Sequence, residues 1–198
     1  MQRHHSRLEI IATEGSLPLA VRSHFAAPQE ALNSLRAPAF AAHSKVYDAV
    51  QFGVRKLRQG KYARRALLLI TDGQEAGSQV SYGDLFRAIR ESDAAIYCLG
   101  VGNTNSDEGE GPGNFQLGHL LLEEMASLTG GTAYMKDKPE HLMKEVKLIA
   151  QQLWHQYSLV YQPTPTTREK KWHKIQVQIN SAPQNRITVH TRQGYFSR

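Results

Sequence analysis

The stretch that most constrains the fold of this chain is residues 66–73, which read Ala-Leu-Leu-Leu-Ile-Thr-Asp-Gly. Its five consecutive apolar residues are too few for a free-standing helix. They also lack the alternation of apolar and polar side chains that a strand with one face in water would show. The run is therefore typical of a strand covered on both faces, as in the parallel sheet of an α/β domain. In such sheets ligands gather at the carboxyl ends of the strands, where Asp72 and Gly73 stand.

Strand-like and helix-like segments alternate around this run. Near the start, residues 8–12 and 17–21 read as a β-hairpin with a glycine in its turn, and residues 28–36 read as a short helix. Further on, Ser44 is placed as the N-cap of an amphipathic helix. The pattern then predicts helices over 81–92, 120–128 and 139–155, strands over 94–101 and 132–135, and a long loop over 102–118. This alternation predicts an α/β fold, with a Rossmann-like parallel sheet flanked by helices.

The rhythm changes after Gln156. Residues 157–161, 175–179 and 187–191 alternate apolar and polar side chains, with turn-forming residues and no helix between them. This pattern is typical of an antiparallel sheet. We therefore place a boundary near Gln156, between an α/β domain of residues 1–156 and a C-terminal antiparallel β-appendage of residues 157–198.

The net charge of +6 belongs entirely to the appendage. Residues 1–156 carry 17 Lys and Arg against 17 Asp and Glu, whereas residues 157–198 carry 7 against 1. Because the basic residues are spaced among strand-like ones, a solvated outer face is favoured over a phosphate-binding surface. No nucleic-acid partner is expected.

The sequence gives little indication of a compartment. No apolar run reaches the roughly 18 residues that a membrane span needs, so no transmembrane segment is expected. No signal peptide is visible, because the first residues lead into only a short apolar patch. The single cysteine, Cys98, rules out an intrachain disulfide and is interpreted as a small core residue rather than as a reactive thiol.

Several motifs, taken in order, resemble a known family. Leu-Ile-Thr-Asp-Gly at 69–73, Ile-Tyr-Cys-Leu-Gly-Val-Gly at 96–102 and Leu-Thr-Gly-Gly-Thr-Ala-Tyr at 128–134 resemble the later half of a von Willebrand factor type A (VWA) domain. Gln-Tyr-Ser-Leu-Val-Tyr at 156–161 and Arg-Gln-Gly-Tyr-Phe at 192–196 resemble the bacterial VWFA-related subgroup. Members of that subgroup carry a β-appendage after the A domain and are often exported. The likeness covers almost the whole chain.

The resemblance implies a metal-ion-dependent adhesion site. The family's site takes oxygens from an Asp-x-Ser-x-Ser loop, from a Thr in a second loop and from the Asp of the Thr-Asp-Gly loop, around a divalent cation such as Mg²⁺. Asp72 matches the last of these, and Ser44 falls at the second with Ser in place of Thr. Because Asp-x-Ser-x-Ser occurs nowhere in the chain, the site is incomplete and cation binding is expected to be weak or absent.

The missing loop implies a missing strand as well. In this family the first strand is central in the sheet, and Met1 falls just before what corresponds to the second strand. Residues 8–12 and 66–71 would therefore lack their shared neighbour. The chain is accordingly interpreted as a truncated product, a fragment, or a degenerate member whose sheet has closed up.

Both candidate ligands have a purely structural alternative. Ser44 equally suits a helix cap without a metal role. Asp72 also suits the acceptor of the turn that it begins, although its place at the crevice end of a strand favours a vestigial ligand.

Two functions follow for the molecule. In the first, it is a non-enzymatic module that binds a protein ligand at the crevice, through loops that include Gly73, Gln74, Glu75 and Asn103. In the second, it is a small-molecule or nucleotide-binding α/β enzyme, for which no phosphate-cradling glycine loop is found in the sequence.

Overall fold

Strands and helices alternate along the chain. The computed structural model describes residues 7–14, 17–24, 45–60, 64–101, 112–136, 141–161, 171–180 and 187–197. The strands are β1 (Arg7–Glu14), β2 (Leu17–His24), β3 (Arg65–Thr71), β4 (Ala94–Val101), β5 (Ala133–Lys136), β6 (Trp172–Lys174) and β7 (Gly194–Phe196). The helices are α1 (Val46–Arg58), α2 (Tyr82–Arg90), α3 (Pro112–Thr129) and α4 (Leu142–Trp154). The predicted helix over 28–36 lies outside the described residues.

The main sheet has the strand order β2-β1-β3-β4-β5. β1 pairs with β2 in antiparallel fashion, which confirms the predicted hairpin. β1, β3, β4 and β5 are parallel to one another. The predicted α/β class, with a helix-flanked parallel sheet, is therefore confirmed.

β1 and β3 are direct neighbours in this sheet. They pair in parallel from Arg7 opposite Arg65 to Ala12 opposite Ile70. The sheet is thus continuous from β2 to β5, without the shared neighbour that the family resemblance implies between these two strands.

Two apolar layers cover the sheet. Alternate side chains of β3 and β4, such as Leu67 and Ile96, point into a layer formed by α1, α2 and α3. The side chains between them, such as Leu68 and Tyr97, pack against α4 on the other face. The uninterrupted apolar runs of these strands follow directly from this double burial. Cys98 lies at 0% exposure within the first layer, as predicted, and burial raises the pKa of its thiol.

Helix α3 corrects one prediction. It begins at Pro112, whereas the sequence predicts a loop up to residue 118 and a helix only from residue 120. The glycines of this stretch read as breakers, but proline is favoured at the first helical position and Gly118 has a packing role inside the helix. At the other end, Gly130 adopts φ +82° and closes the helix in the predicted left-handed conformation.

The C-terminal region corrects a second prediction. An antiparallel pair is present, but it consists of β6 and β7, and residues 157–161, 175–179 and 187–191 form no strands. Alternating apolar and polar side chains show which residues are able to form a strand. Strands then pair where packing contacts hold the chain in place. Here Trp172 packs against the core, and the backbone of Gly194 approaches the carbonyl oxygen of His173 so closely that a Cβ would collide with it.

Arg192 fastens this region to the α/β unit. Its Nε donates to the Gly194 carbonyl at 2.8 Å, and its Nη1 donates to Asp93 Oδ1 at 3.2 Å. Its Nη2 donates to the carbonyls of Arg90 and Ser92, both at 3.2 Å. Asp93 immediately precedes β4, so the fastening lies at the amino end of the parallel strands. Asp72 lies at the opposite end.

Within the described part of the chain, none of the helices combines the length and the apolar character needed to cross a membrane.

Candidate functional site

The carboxyl end of β3 forms a tight, internally bonded turn. The buried Thr71 hydroxyl accepts the Gly73 N–H at 3.1 Å and donates to Asp72 Oδ1 at 3.3 Å. The same Oδ1 accepts the Gln74 N–H at 3.1 Å. Gly73 has φ +81°, a conformation that glycine adopts without strain. Asp72 is therefore the acceptor of an Asx turn, which is the structural alternative that its position suggests.

The loop after this turn is bonded to the amino end of α1. Glu75 Oε2 accepts the Tyr47 N–H at 3.0 Å and the Ser78 hydroxyl at 2.9 Å, while Oε1 accepts the Ser78 N–H at 2.8 Å. Ser78 Oγ in turn accepts the Asp48 N–H at 3.3 Å. Two orphan N–H groups of the first turn of α1 are thus capped by a loop that lies about 30 residues further along the chain.

The helix bonds back to the same loop. Asp48 Oδ1 accepts the N–H groups of Gln79 and Val80, both at 3.0 Å. We call this reciprocal set of hydrogen bonds the Glu75–Asp48 clasp. It holds the crevice loop 73–80 against α1 by direct hydrogen bonds.

The clasp also explains the start of α1. Lys45 occupies the N-cap position, so the helix begins one residue later than predicted. The Lys45 side chain makes no cap hydrogen bond, and Glu75 and Ser78 accept the N–H groups of the first turn instead. Ser44, the predicted cap and candidate ligand, lies outside the described residues. Asn103, the fourth predicted loop position, lies outside them as well.

Helix α3 borders the same edge of the sheet. A Cβ on Gly118 would lie 2.7 Å from the Gly73 carbonyl oxygen, so the helix and the turn after β3 are in backbone contact. One turn and a half further on, Glu124 Oε2 accepts the Tyr82 hydroxyl at 2.6 Å. This hydrogen bond is the main reason that the pKa of Tyr82 is raised to about 12. The Tyr82 ring lies edge-on to that of Tyr47, with 6.4 Å between their centroids.

Exposed apolar side chains surround this edge. Leu117 and Leu120 of α3 are largely accessible to solvent, and Tyr82 of α2 is half-exposed. Leu117 is next to Gly118, and Leu120 lies one helical turn before Glu124. The crevice edge therefore combines apolar and aromatic surface with fixed carboxylates.

The described residues do not fit a tightly held Mg²⁺. Both oxygens of Glu75 accept hydrogen bonds from the clasp, and one oxygen of Asp72 is used by its turn. Among the residues that the structure describes, no group of three or more His, Cys, Asp or Glu side chains is placed to hold a metal ion. A hard cation needs about six oxygens, and those present here are largely committed to N–H and O–H donors. The pairing of Asp72 with Ser44 stays a prediction.

Sequence reasoning placed Gly73, Gln74 and Glu75 at this edge but missed what Glu75 contacts. Gly73 is buried beneath Gly118, and Gln74 is half-buried. The roles of Asp48 and Ser78 were also missed. The available signals were an acidic residue in the first turn of α1 and the Glu-x-x-Ser spacing in the loop, and both are common on protein surfaces.

Replacing Glu75 with alanine should loosen the crevice loop. Three hydrogen bonds to a charged acceptor are lost, of which one caps α1 and two hold Ser78. We therefore expect a loss of about 1–2 kcal/mol in the free energy of unfolding. Native-state amide exchange should show faster exchange at Tyr47 and Ser78. Replacing the exposed Asp84, whose carboxylate accepts hydrogen bonds from Ser81 and Arg87 at the start of its own helix, is the control. Unchanged exchange at Tyr47 in the Glu75 variant would contradict the capping role.

Comparison with known proteins yields similarity of fold to solved structures. No family model matches the chain, and no curated protein matches it either. Among solved structures, the chain is similar to a von Willebrand factor type A protein from Catenulispora acidiphila, with 18% sequence identity and a TM-score of 0.48. The similar region covers 76% of this chain and 34% of that one. The chain thus spans about a third of the length of that structure.

Proposed function

We propose that the chain is a VWA-type protein-interaction module whose crevice edge binds a protein ligand without a stably held cation. The order of the family-like motifs along the sequence supports the VWA assignment. Binding without a cation is supported by the Glu75–Asp48 clasp. The clasp connects the crevice loop to α1, which is the connection that a bridging ion would otherwise supply.

Preorganisation of this surface favours a binding role. A loop that is already fixed loses little conformational entropy when a partner docks. The exposed Leu117, Leu120 and Tyr82 have the apolar and aromatic character of protein interfaces. A protein ligand is therefore favoured over a small charged metabolite.

A matched pair of substitutions tests the proposal. Peptides are selected from a random display library for binding to the wild-type protein, and their affinity is then measured for Leu120→Lys and for Leu148→Lys. Both leucines are exposed on helices, but Leu148 lies on α4, across the sheet from α3. We expect Leu120→Lys to weaken binding at least about tenfold, or 1.4 kcal/mol, with Leu148→Lys unchanged.

The cation and the enzyme alternative are tested on the same protein. Binding of the selected peptides should persist in EDTA, and titration with MgCl₂ should release no binding heat. Peptides that bind both variants equally, or binding that EDTA abolishes, would contradict the proposal. Thermal stabilisation by nucleotides would instead favour the small-molecule enzyme.

A further inference from the structure

The segment between α4 and the appendage is held at both ends. At its start, the Gln156 side chain is hydrogen-bonded to Tyr97, a buried residue of β4. At its end, Tyr161 is hydrogen-bonded to Tyr195 of β7, and their rings meet edge-on with 5.9 Å between centroids. The residues between these anchors are therefore presented at a defined place on the protein.

These intervening residues are apolar and uncovered. Tyr157 is 95% exposed, Leu159 72% and Val160 96%, and Trp154 at the end of α4 is 70% exposed. Residues 157–161 belong to no helix or strand, so their backbone groups are not used in a sheet. An exposed cluster of this size marks an interaction surface more often than a solvated one.

The exposed apolar area of the segment is more than half of what one partner buries in a standard interface. The aromatic side chains Trp154, Tyr157 and Tyr161 alone expose on the order of 450 Å², taking roughly 200 Å² for each full side chain. A standard interface buries about 800 Å² on each partner. Leu159 adds to this area on the same face as the tyrosines, whereas Val160 lies on the opposite face of such a strand.

The sequence of the segment is complementary to itself. Tyr-Ser-Leu-Val-Tyr, paired in antiparallel fashion about its central residue, places Tyr157 opposite Tyr161 and Leu159 opposite Leu159 of the second chain. Because side chains alternate along a strand, the tyrosines and leucines of both chains then share one face. Aromatic pairs across antiparallel strands are among the stabilising ones.

We propose that residues 157–161 pair with the same residues of a second copy of this chain, forming a two-fold symmetric dimer. Such an isologous pairing closes after two chains, and it lets the backbone of the segment, which belongs to no strand, form the hydrogen bonds of a β-ladder. The surface is separate from the crevice edge, so the inference does not depend on the proposed function.

A charge placed on the two-fold axis tests the dimer. The Leu159→Lys variant would set two like charges directly opposite each other, a device that blocks strand pairing. Sedimentation of the wild-type protein should show a concentration-dependent dimer, whereas Leu159→Lys should be monomeric and equally folded by circular dichroism. Leu117→Lys, an equally exposed leucine on α3, is the control and should still dimerise.

Cysteine substitutions test the register. Antiparallel partners have Cα atoms about 4.5–5.5 Å apart, which is within disulfide range. Leu159→Cys should therefore cross-link to itself rapidly on mild oxidation, and Tyr157→Cys should not, since its two copies would lie roughly 14 Å apart. A mixture of Tyr157→Cys and Tyr161→Cys should cross-link. The native Cys98 is fully buried and does not interfere.

Four results would overturn the proposal. These are a wild-type protein that stays monomeric throughout the micromolar range, a Leu159→Lys variant that still dimerises, a Leu159→Cys variant that cross-links no faster than Leu117→Cys, and open-ended aggregates instead of a closed dimer.

Discussion

Replacing Gly118 with alanine should destabilise the protein by about 2–3 kcal/mol, although alanine is the better helix former. The added Cβ would lie 2.7 Å from the Gly73 carbonyl oxygen and 2.8 Å from its carbonyl carbon. Both are backbone atoms of a turn that Thr71 holds by a hydrogen bond. Since neither side can yield through a flexible side chain, α3 would have to move away from the end of β3.

The same substitution at Gly83 is the matched control. Gly83 also lies in a helix, but a Cβ there would be 4.0 Å from its nearest neighbour, the Ser81 hydroxyl oxygen. Gly83→Ala should therefore stabilise the protein by about 0.5–1 kcal/mol. Urea unfolding with m-values measures both changes. A Gly118→Ala variant as stable as the wild type would show that α3 and the turn are not in backbone contact.

Replacing Lys136 with methionine should destabilise the protein by about 3 kcal/mol. Lys136 Nζ lies 2.6 Å from Glu145 Oε1, and Glu145 is only 4% exposed. Within the described part of the chain, the second oxygen of Glu145 has no hydrogen-bond partner. Removing the lysine leaves a buried carboxylate without its counter-charge, which is the costly way to break such a pair. Because Lys136 is partly exposed, the expected loss of stability is at the lower end of the range for a broken buried ion pair.

A double substitution separates this penalty from the net value of the ion pair. Lys136→Met combined with Glu145→Leu removes both charges and should recover most of the lost stability. Thermal or urea unfolding of the wild type, both single variants and the double variant completes the cycle. If the double variant were as unstable as Lys136→Met alone, lost packing rather than an uncompensated charge would be the cause.

The parts of the fold that sequence predicts well are those with a local cause. β4 begins and ends at the predicted residues because an uninterrupted apolar run has no other stable environment than a doubly covered strand. The apolar stripe of α1 and the glycine closure of α3 are equally local. The prediction of a loop before residue 120 was wrong. In the sequence, a glycine that ends a helix cannot be told from a glycine that lets a helix approach a neighbouring backbone.

The candidate site was predictable only in part. Asp72 is placed at the strand end by the motif alone, and its turn follows from its residue type. The clasp was not predictable, because Tyr47 and Glu75 are 28 residues apart and their contact depends on how α1 packs beside β3. The C-terminal strands failed for a related reason, since alternation identifies candidates for pairing and contains no information on the partner.

The position of Arg192 has a mechanical consequence. It ties the C-terminal region to the start of β4, while the crevice edge lies where the parallel strands end. Tension between a crevice-bound partner and the C-terminal region would therefore run along the strands. The backbone hydrogen bonds between β3 and β4 would be under shear and would bear the force together. They would not be broken one after another.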